Sequence, residues 1–226
     1  MHALLKITIG ALALSLGAAP LAIAQDDGPA FAVTYIEVTP SAMADAIALL
    51  REQAAASRAA SGNIRYQILQ RLGRPNHFAI IDAWDSAADR EANSSARHTR
   101  SFRSSLEPLL YSPYDERPST PIMGTGGAGG DGQVYAVTHV DIIPTGIEEG
   151  MALVENFVRT MRTQPGAVDI GIMGQNNRRN HMTLFETWAS AEHRIANAAA
   201  PHAKHFRGEL LSHMGALYDE RLYHPL

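Results

Sequence analysis

The chain of 226 residues contains no cysteine. That excludes a disulfide framework, thiolate metal sites and flavin–thiol chemistry, and it suits an oxidising compartment in which an unpaired thiol is a liability. Positive charge is also in short supply: 19 Lys and Arg stand against 23 Asp and Glu, for a net charge of −4. A nucleic-acid surface needs the opposite balance, so no nucleic-acid partner is expected. Tryptophan occurs twice. The glycine-rich stretch has no lysine and no helix after it, so it is no phosphate loop, and no nucleotide or flavin fingerprint appears elsewhere.

Long apolar runs are confined to the start. Residues 1–24 hold one Lys6, the run "ITIGALALSLGAAPLAIA" and small residues spaced A-x-A before Gln25. This is the pattern of a cleavable secretory leader. Gly10, Gly17 and Pro20 interrupt the run, which argues against a retained membrane anchor. A periplasmic or secreted protein beginning near Gln25 is expected.

The remaining chain is written twice. At an offset of 104, Phe31–Arg117 falls on Tyr135–Arg221 without a gap, and about three in ten of the 87 pairs are identical. "AVT" at Ala32 recurs at Ala136, "NH" at Asn76 recurs at Asn180, and "YDER" at Tyr114 recurs at Tyr218. Such a match identifies a tandem, with repeat 1 over residues 30–117 and repeat 2 over 134–226. Pro118–Gln133, "PSTPIMGTGGAGGDGQ", reads as a flexible linker with an r.m.s. reach of roughly 20 to 24 Å.

Each repeat carries the same local pattern. "FAVTYIEVTP" and "YAVTHVDIIP" are strands that end at proline. Met43, Ile47, Leu50 and Ala54, and then Ile147, Met151, Val154 and Val158, fall at helical spacing, with Thr145-x-x-Glu148 offering a capping box. Gly62 and Gly166 mark the helix stops. "NIRYQILQR" with "HFAIIDAW", and "AVDIGIMGQ" with "HMTLFETW", read as hairpins. A helical stretch follows from Ser86 or Ser190, with a break near Pro201, and the "YDER" segment reads as a short edge strand. The order β-α-β-β-α-β is the split βαβ, or ferredoxin-like, arrangement. Strands such as "FAIIDAW" carry apolar residues on both faces, so the sheet side opposite the helices needs a cover. The tethered second copy supplies it. The expected fold class is α+β, two ferredoxin-like repeats packed sheet to sheet as an internal pseudo-dimer.

The residues kept through the drift are the candidates for chemistry. Strand alternation sets Asp82 on the face of Trp84, and Glu186 on the face of Trp188. A carboxylate among rings is costly unless an arginine pairs with it or a reaction uses it. His98, Phe102 and Leu106, like His202, Phe206 and Leu210, share a helical stripe. The histidines read either as core residues or as general bases. Asn93 and Asn197 are helix breaks, caps or donors to a substrate oxygen. His193, His202, His205 and His213 lack a completing carboxylate, so no metal site is expected. A salt bridge across the repeat interface is the ordinary reading of "YDER".

Asp82-x-Trp84 with His98-x-x-x-Phe102, and Glu186-x-Trp188 with His202-x-x-x-Phe206, resemble the antibiotic biosynthesis monooxygenase family over both repeats. The resemblance implies a dimeric α/β barrel and a cofactor-independent oxygenase, acting with dioxygen on a small quinol- or phenol-like aromatic. It points to His98, His202, Trp84, Trp188, Asp82 and Glu186 as catalytic, and to Asn93, Asn197, Phe102, Phe206, Tyr35 and His139 as substrate-binding. Many members have a histidine where this chain has Asn93 and Asn197. Haem-degrading members use an asparagine on strand one, where this chain offers Thr34, Tyr35, Thr138 and His139. A haem or tetrapyrrole binder using His98, His202 or His139 as ligand is the alternative, and a non-catalytic binding domain is the third reading. Where the copies differ, the second is expected to hold the chemistry, because Glu186 reaches further than Asp82 and His139 adds a titratable group.

Overall fold

The computed structural model describes residues 28–124 and 133–226. The expected leader and the centre of the glycine-rich linker lie outside the described residues. Repeat 1 runs β1 (Ala30–Glu37), α1 (Met43–Arg58), β2 (Asn63–Arg71), β3 (His77–Trp84), α2 (Ala87–Ser94), α3 (Arg97–Leu106) and β4 (Asp115–Met123). Repeat 2 runs β5 (Val134–Asp141), α4 (Ile147–Met161), β6 (Ala167–Gln175), β7 (His181–Trp188), α5 (Ala191–Ala199), α6 (Pro201–Leu210) and β8 (Asp219–Pro225).

The eight strands close into one antiparallel barrel in the order β1-β3-β2-β8-β5-β7-β6-β4. Within each repeat the first strand pairs with the third, so Asp82 lies opposite Ala32 and Glu186 opposite Ala136. The fourth strands make the closure. β4 pairs with β1 and with β6, and β8 pairs with β5 and with β2. The "YDER" segments are therefore not short edges but shared staves of both halves, and closure leaves no open sheet edge.

β4 also corrects the expected linker boundary, because it continues through Pro118 and Pro121 to Met123. Proline removes a backbone donor but keeps its carbonyl, and the Pro118 oxygen accepts the Asn176 N–H at 3.0 Å. The capping box at Thr145 does not form. Pro144–Gly146 makes a 3-10 turn, and α4 starts from Gly146 without a side-chain cap. Ser86 and Ser190 do cap α2 and α5, accepting from the N–H groups of Asp89 and His193.

Alternation along the strands sorts side chains into three cores. Ile36, Ile68, Phe78, Ile80 and Trp84 pack outward beneath α1 and α3, and Ile172, Met182, Leu184 and Trp188 do the same beneath α4 and α6. The other face fills the barrel with Phe31, Val33, Ile81, Tyr135, Phe185 and Tyr223. Each outer core carries a Trp–carboxylate pair near the end of its third strand.

Candidate active site

In repeat 1, Trp84 Nε1 donates to Asp82 Oδ1 at 2.8 Å, and Arg90 Nε donates to the same oxygen at 3.1 Å. Arg90 also binds Glu116, which Arg103 holds from its other side at 2.6 Å. The chain Trp84–Asp82–Arg90–Glu116–Arg103 thus ties β3, α2, α3 and β4 together. Asp82 is 5% exposed. Burial pushes its carboxyl up to about 6, although Arg90 and the Trp84 N–H favour the anion. Repeat 2 rebuilds the start of the chain. Trp188 Nε1 donates to Glu186 Oε2 at 2.7 Å, Arg194 Nε lies 3.2 Å from that oxygen, and Arg194 reaches Glu220. Burial raises the Glu186 carboxyl too. The arginines went unread in the sequence, although Arg90/Arg194 and Arg103/Arg207 are identical between the copies.

What surrounds these acids differs sharply. In repeat 1, Tyr66, Asn93, Thr99 and Tyr114 join Asp82 and Trp84 around a chamber of about 20 Å³, room for one water. Behind Tyr66 and Thr99 stands Gln53 of α1, whose Nε2 lies 3.1 Å from Ser57 Oγ, 3.0 Å from Thr99 Oγ1 and 3.5 Å from the Tyr66 hydroxyl. The corresponding positions of repeat 2 are Phe157, Met161, Ala203 and Ile170, all buried. Phe157 stacks on Phe206 with ring centroids 3.9 Å apart. The polar constellation of the first copy is hydrophobic packing in the second. This reverses the expectation that the second copy is the better equipped, which rested on Glu186 and His139 and did not weigh the first-helix positions.

The histidines are not in these chambers. His98 and His202 sit half-buried in the first turns of α3 and α6, where the apolar stripe emerges toward solvent. Their Nε2 atoms lie 3.0 and 2.9 Å from Asn93 Oδ1 and Asn197 Oδ1. Asn93 also lines the chamber, so it joins His98 to the wall that Asp82 and Trp84 share. α3 starts at Arg97, so His98 stands at the outer end of the stripe it shares with Phe102 and Leu106. Phe102 and Phe206 are core residues, and Phe102 also lines an outer groove.

Tyr35 and His139 face the opposite side of β1 and β5 from Thr34 and Thr138, by strand parity. Tyr35 lies between the Arg117 and Arg221 guanidiniums, 4.8 and 4.9 Å from its ring centre. His139 Nε2 lies 3.1 Å from His181 Nδ1. Burial, Arg117 and His181 push the His139 imidazole down to about 4. Neither residue reaches a Trp–acid pair. The "YDER" ions pair within their own repeats rather than across them: Arg117 with Asp115 and Arg221 with Asp219 along the strand, and Glu116 and Glu220 with helix arginines.

The family model described as antibiotic biosynthesis monooxygenase matches residues 29–104, which hold Gln53, Tyr66, Asp82, Trp84, Arg90 and Asn93. The first repeat is a member of that family. The curated protein named Putative monooxygenase YcnE, from Bacillus subtilis (strain 168), is 26% identical over 81 residues, 36% of this chain and 85% of its own length. A structure named as a Putative monooxygenase from Fusobacterium nucleatum superposes with a TM-score of 0.80 at 12% identity, covering 89% of this chain and 94% of that one. Another so named, from Lactobacillus acidophilus NCFM, gives 0.72 at 14% identity over 88% and 94%. These likenesses span both repeats and establish the shared barrel. The sequence matches make repeat 1 monooxygenase-like.

Proposed function

We propose that the chain is an exported, cofactor-independent monooxygenase acting on a small quinol- or phenol-like aromatic, and that the acid–base group of the reaction lies in the first repeat, at Asp82. One observation carries this reading: Tyr66 and Thr99 line the pocket beside Asp82–Trp84 in repeat 1, Gln53 and Ser57 bond behind them, and repeat 2 has apolar residues at all four positions. A buried polar set is costly to maintain without a use.

The chemistry asks little of the protein. A hydroquinone that loses its phenolic proton to Asp82 becomes an electron-rich anion able to reduce dioxygen directly. One oxygen atom joins the ring and the other leaves as water, so hydroquinone and dioxygen give a hydroxyquinone and water with no further reductant. Asp82, pushed up to about 6, is ionised at neutral pH yet basic enough to hold a proton in transit. Trp84 and Arg90 fix its orientation.

For the haem alternative, ligation through Nε2 of His98, His202 or His139 would first have to break its contact with Asn93, Asn197 or His181 respectively.

Oxygen uptake measured on a panel of hydroquinones and anthrones, without added cofactor, tests the proposal. Turnover is expected, with Asp82→Asn lowering kcat at least a hundredfold and Glu186→Gln changing it less than threefold. Absence of uptake on the whole panel, or equal losses from the two variants, overturns it.

A further inference from the structure

Outside the chamber, α1 and α3 of repeat 1 flank a groove of about 500 Å³, lined by Leu49, Gln53, Ala56, His98 and Phe102 among others. This is the scale of a cleft that holds an aromatic small molecule, whereas the chamber behind it is not. Gln53 stands between the two. Its side chain lines the groove, and its amide touches Tyr66 and Thr99, which line the chamber. Gln53 is the partition.

The partition is incompletely bonded. Gln53 is 2% exposed, and its Oε1 has no hydrogen-bond partner among the described residues. Its amide nitrogen has two hydrogens but three hydroxyl acceptors within 3.5 Å, those of Ser57, Tyr66 and Thr99. Turning the amide over exchanges the unpaired end for the other without pairing both. A hydroxyl on a ligand both donates and accepts, so it completes the amide in either orientation. Repeat 2 has Phe157 at this position, stacked on Phe206, and needs no such partner. Leu49, Ala56 and Phe102 supply an apolar bed beside the amide.

We propose that this groove is the binding and entry site for a hydroxylated planar aromatic, and that Gln53 is the residue that recognises its hydroxyl and opens the way to the chamber. The proposal rests on the reading of the first repeat as the place where a phenolic substrate is used. Binding proceeds by transfer of the Gln53 amide from its Ser57–Tyr66–Thr99 contacts to the ligand hydroxyl, with the ring against Phe102. That movement frees the Tyr66 and Thr99 hydroxyls toward the chamber and joins groove and chamber into one site. Gln53 is a positioning residue for any later proton transfer to Asp82.

Binding without turnover tests this on the full chain, using 2-naphthol against naphthalene in NMR titrations. The wild type is expected to bind one equivalent of 2-naphthol per chain, at least tenfold more tightly than naphthalene. Gln53→Leu is expected to bind both with equal affinity, and Gln53→Met gives the same reading should leucine pack poorly. Leu49→Trp, which narrows the apolar bed, is expected to weaken both ligands alike. The proposal is overturned if neither ligand binds, if two equivalents bind, or if Gln53→Leu keeps the preference for the hydroxyl. Preference that depends on Gln53 without hydroquinone-driven oxygen uptake leaves this site standing and removes the oxygenase reading. Uptake with an unchanged KM in Gln53→Leu does the reverse.

Discussion

Arg65 and Asp169 occupy the same position of the two repeats, 104 residues apart, and meet inside the barrel with Nη1 and Oδ2 at 3.5 Å. Arg65 is 3% exposed and lies near the rings of Tyr135 and Phe185. Two copies of the first repeat would set arginine against arginine at this point, and two copies of the second would set aspartate against aspartate. The pair makes the two halves complementary to each other and not to themselves, so the barrel is specified as a tandem rather than as a homodimer.

Replacing Asp169 with Arg should destabilise the chain by about 3–5 kcal/mol, the scale for breaking a buried ion pair. The double exchange Arg65→Asp with Asp169→Arg should recover most of that loss. Denaturant unfolding measures both. An additive double variant would show that the two charges do not interact. Co-expressed separate repeats should form a heterodimer by native mass spectrometry, with neither repeat giving a stable homodimer alone.

The glycines that begin β2 and β6 make a second test. Gly166 has φ +78°, and a Cβ there would lie 2.1 Å from His193 Cγ; Gly62, at φ +70°, would meet Asp89 Cγ at 2.4 Å. Alanine at either position combines left-handed strain with a clash against a helix N-terminus, and should cost about 2 kcal/mol or more. Gly208 is a control. It lies within α6, and a methyl group added there would meet nothing within 4 Å, so Gly208→Ala should stabilise by up to about 1 kcal/mol. Thermal melts that rank the three variants otherwise would defeat this account.

The strands and helices were legible because each hairpin carries period-two alternation and each long helix a clear apolar stripe. β2, β3, β6 and β7 occupy the stretches that the alternation marks out. The barrel closure was less legible, because prolines at 118 and 121 disguise β4 as a linker. At the site, the Trp–acid pairs follow from strand parity, and parity also removes Tyr35 and His139 from them. His98 shares the Phe102–Leu106 stripe but heads it in the first turn of α3, and spacing along a stripe does not tell how deep each member lies. Gln53 was invisible for a different reason. It differs between the copies, and a reading that looks for what repeats passes over a position whose meaning lies in the change to Phe157.

His139 supplies a pH dependence of one sign. Its imidazole is pushed from an ordinary 6.5 down to about 4, chiefly by burial and then by Arg117 and His181. The unfolded chain therefore binds this proton first. The stability contribution is fully present above about 6.5 and is lost as the pH falls through 4. His139→Gln should flatten the acid side of a plot of Tm against pH over that window, leaving the neutral region little changed. An acid limb of unaltered slope would show that another group governs it.

Asp82 supplies the opposite sign, and joins stability to catalysis. Its carboxyl is raised from 3.8 to about 6 by burial, ahead of the opposing pull of Arg90. The folded chain thus prefers the protonated acid, so this stability term is full below about 4 and is lost as the pH rises through 6, on the order of 3 kcal/mol. A general base must be ionised, so turnover should rise through the same interval. Asp82→Asn should remove the stability loss between pH 4 and 6 and abolish the pH-dependent rise in kcat/KM. Parallel melts and oxygen-uptake profiles from pH 4 to 8 measure the two together. A wild-type activity limb near 6 that survives in Asp82→Asn would assign the proton to a different residue, with His98 the next to test through Asn93.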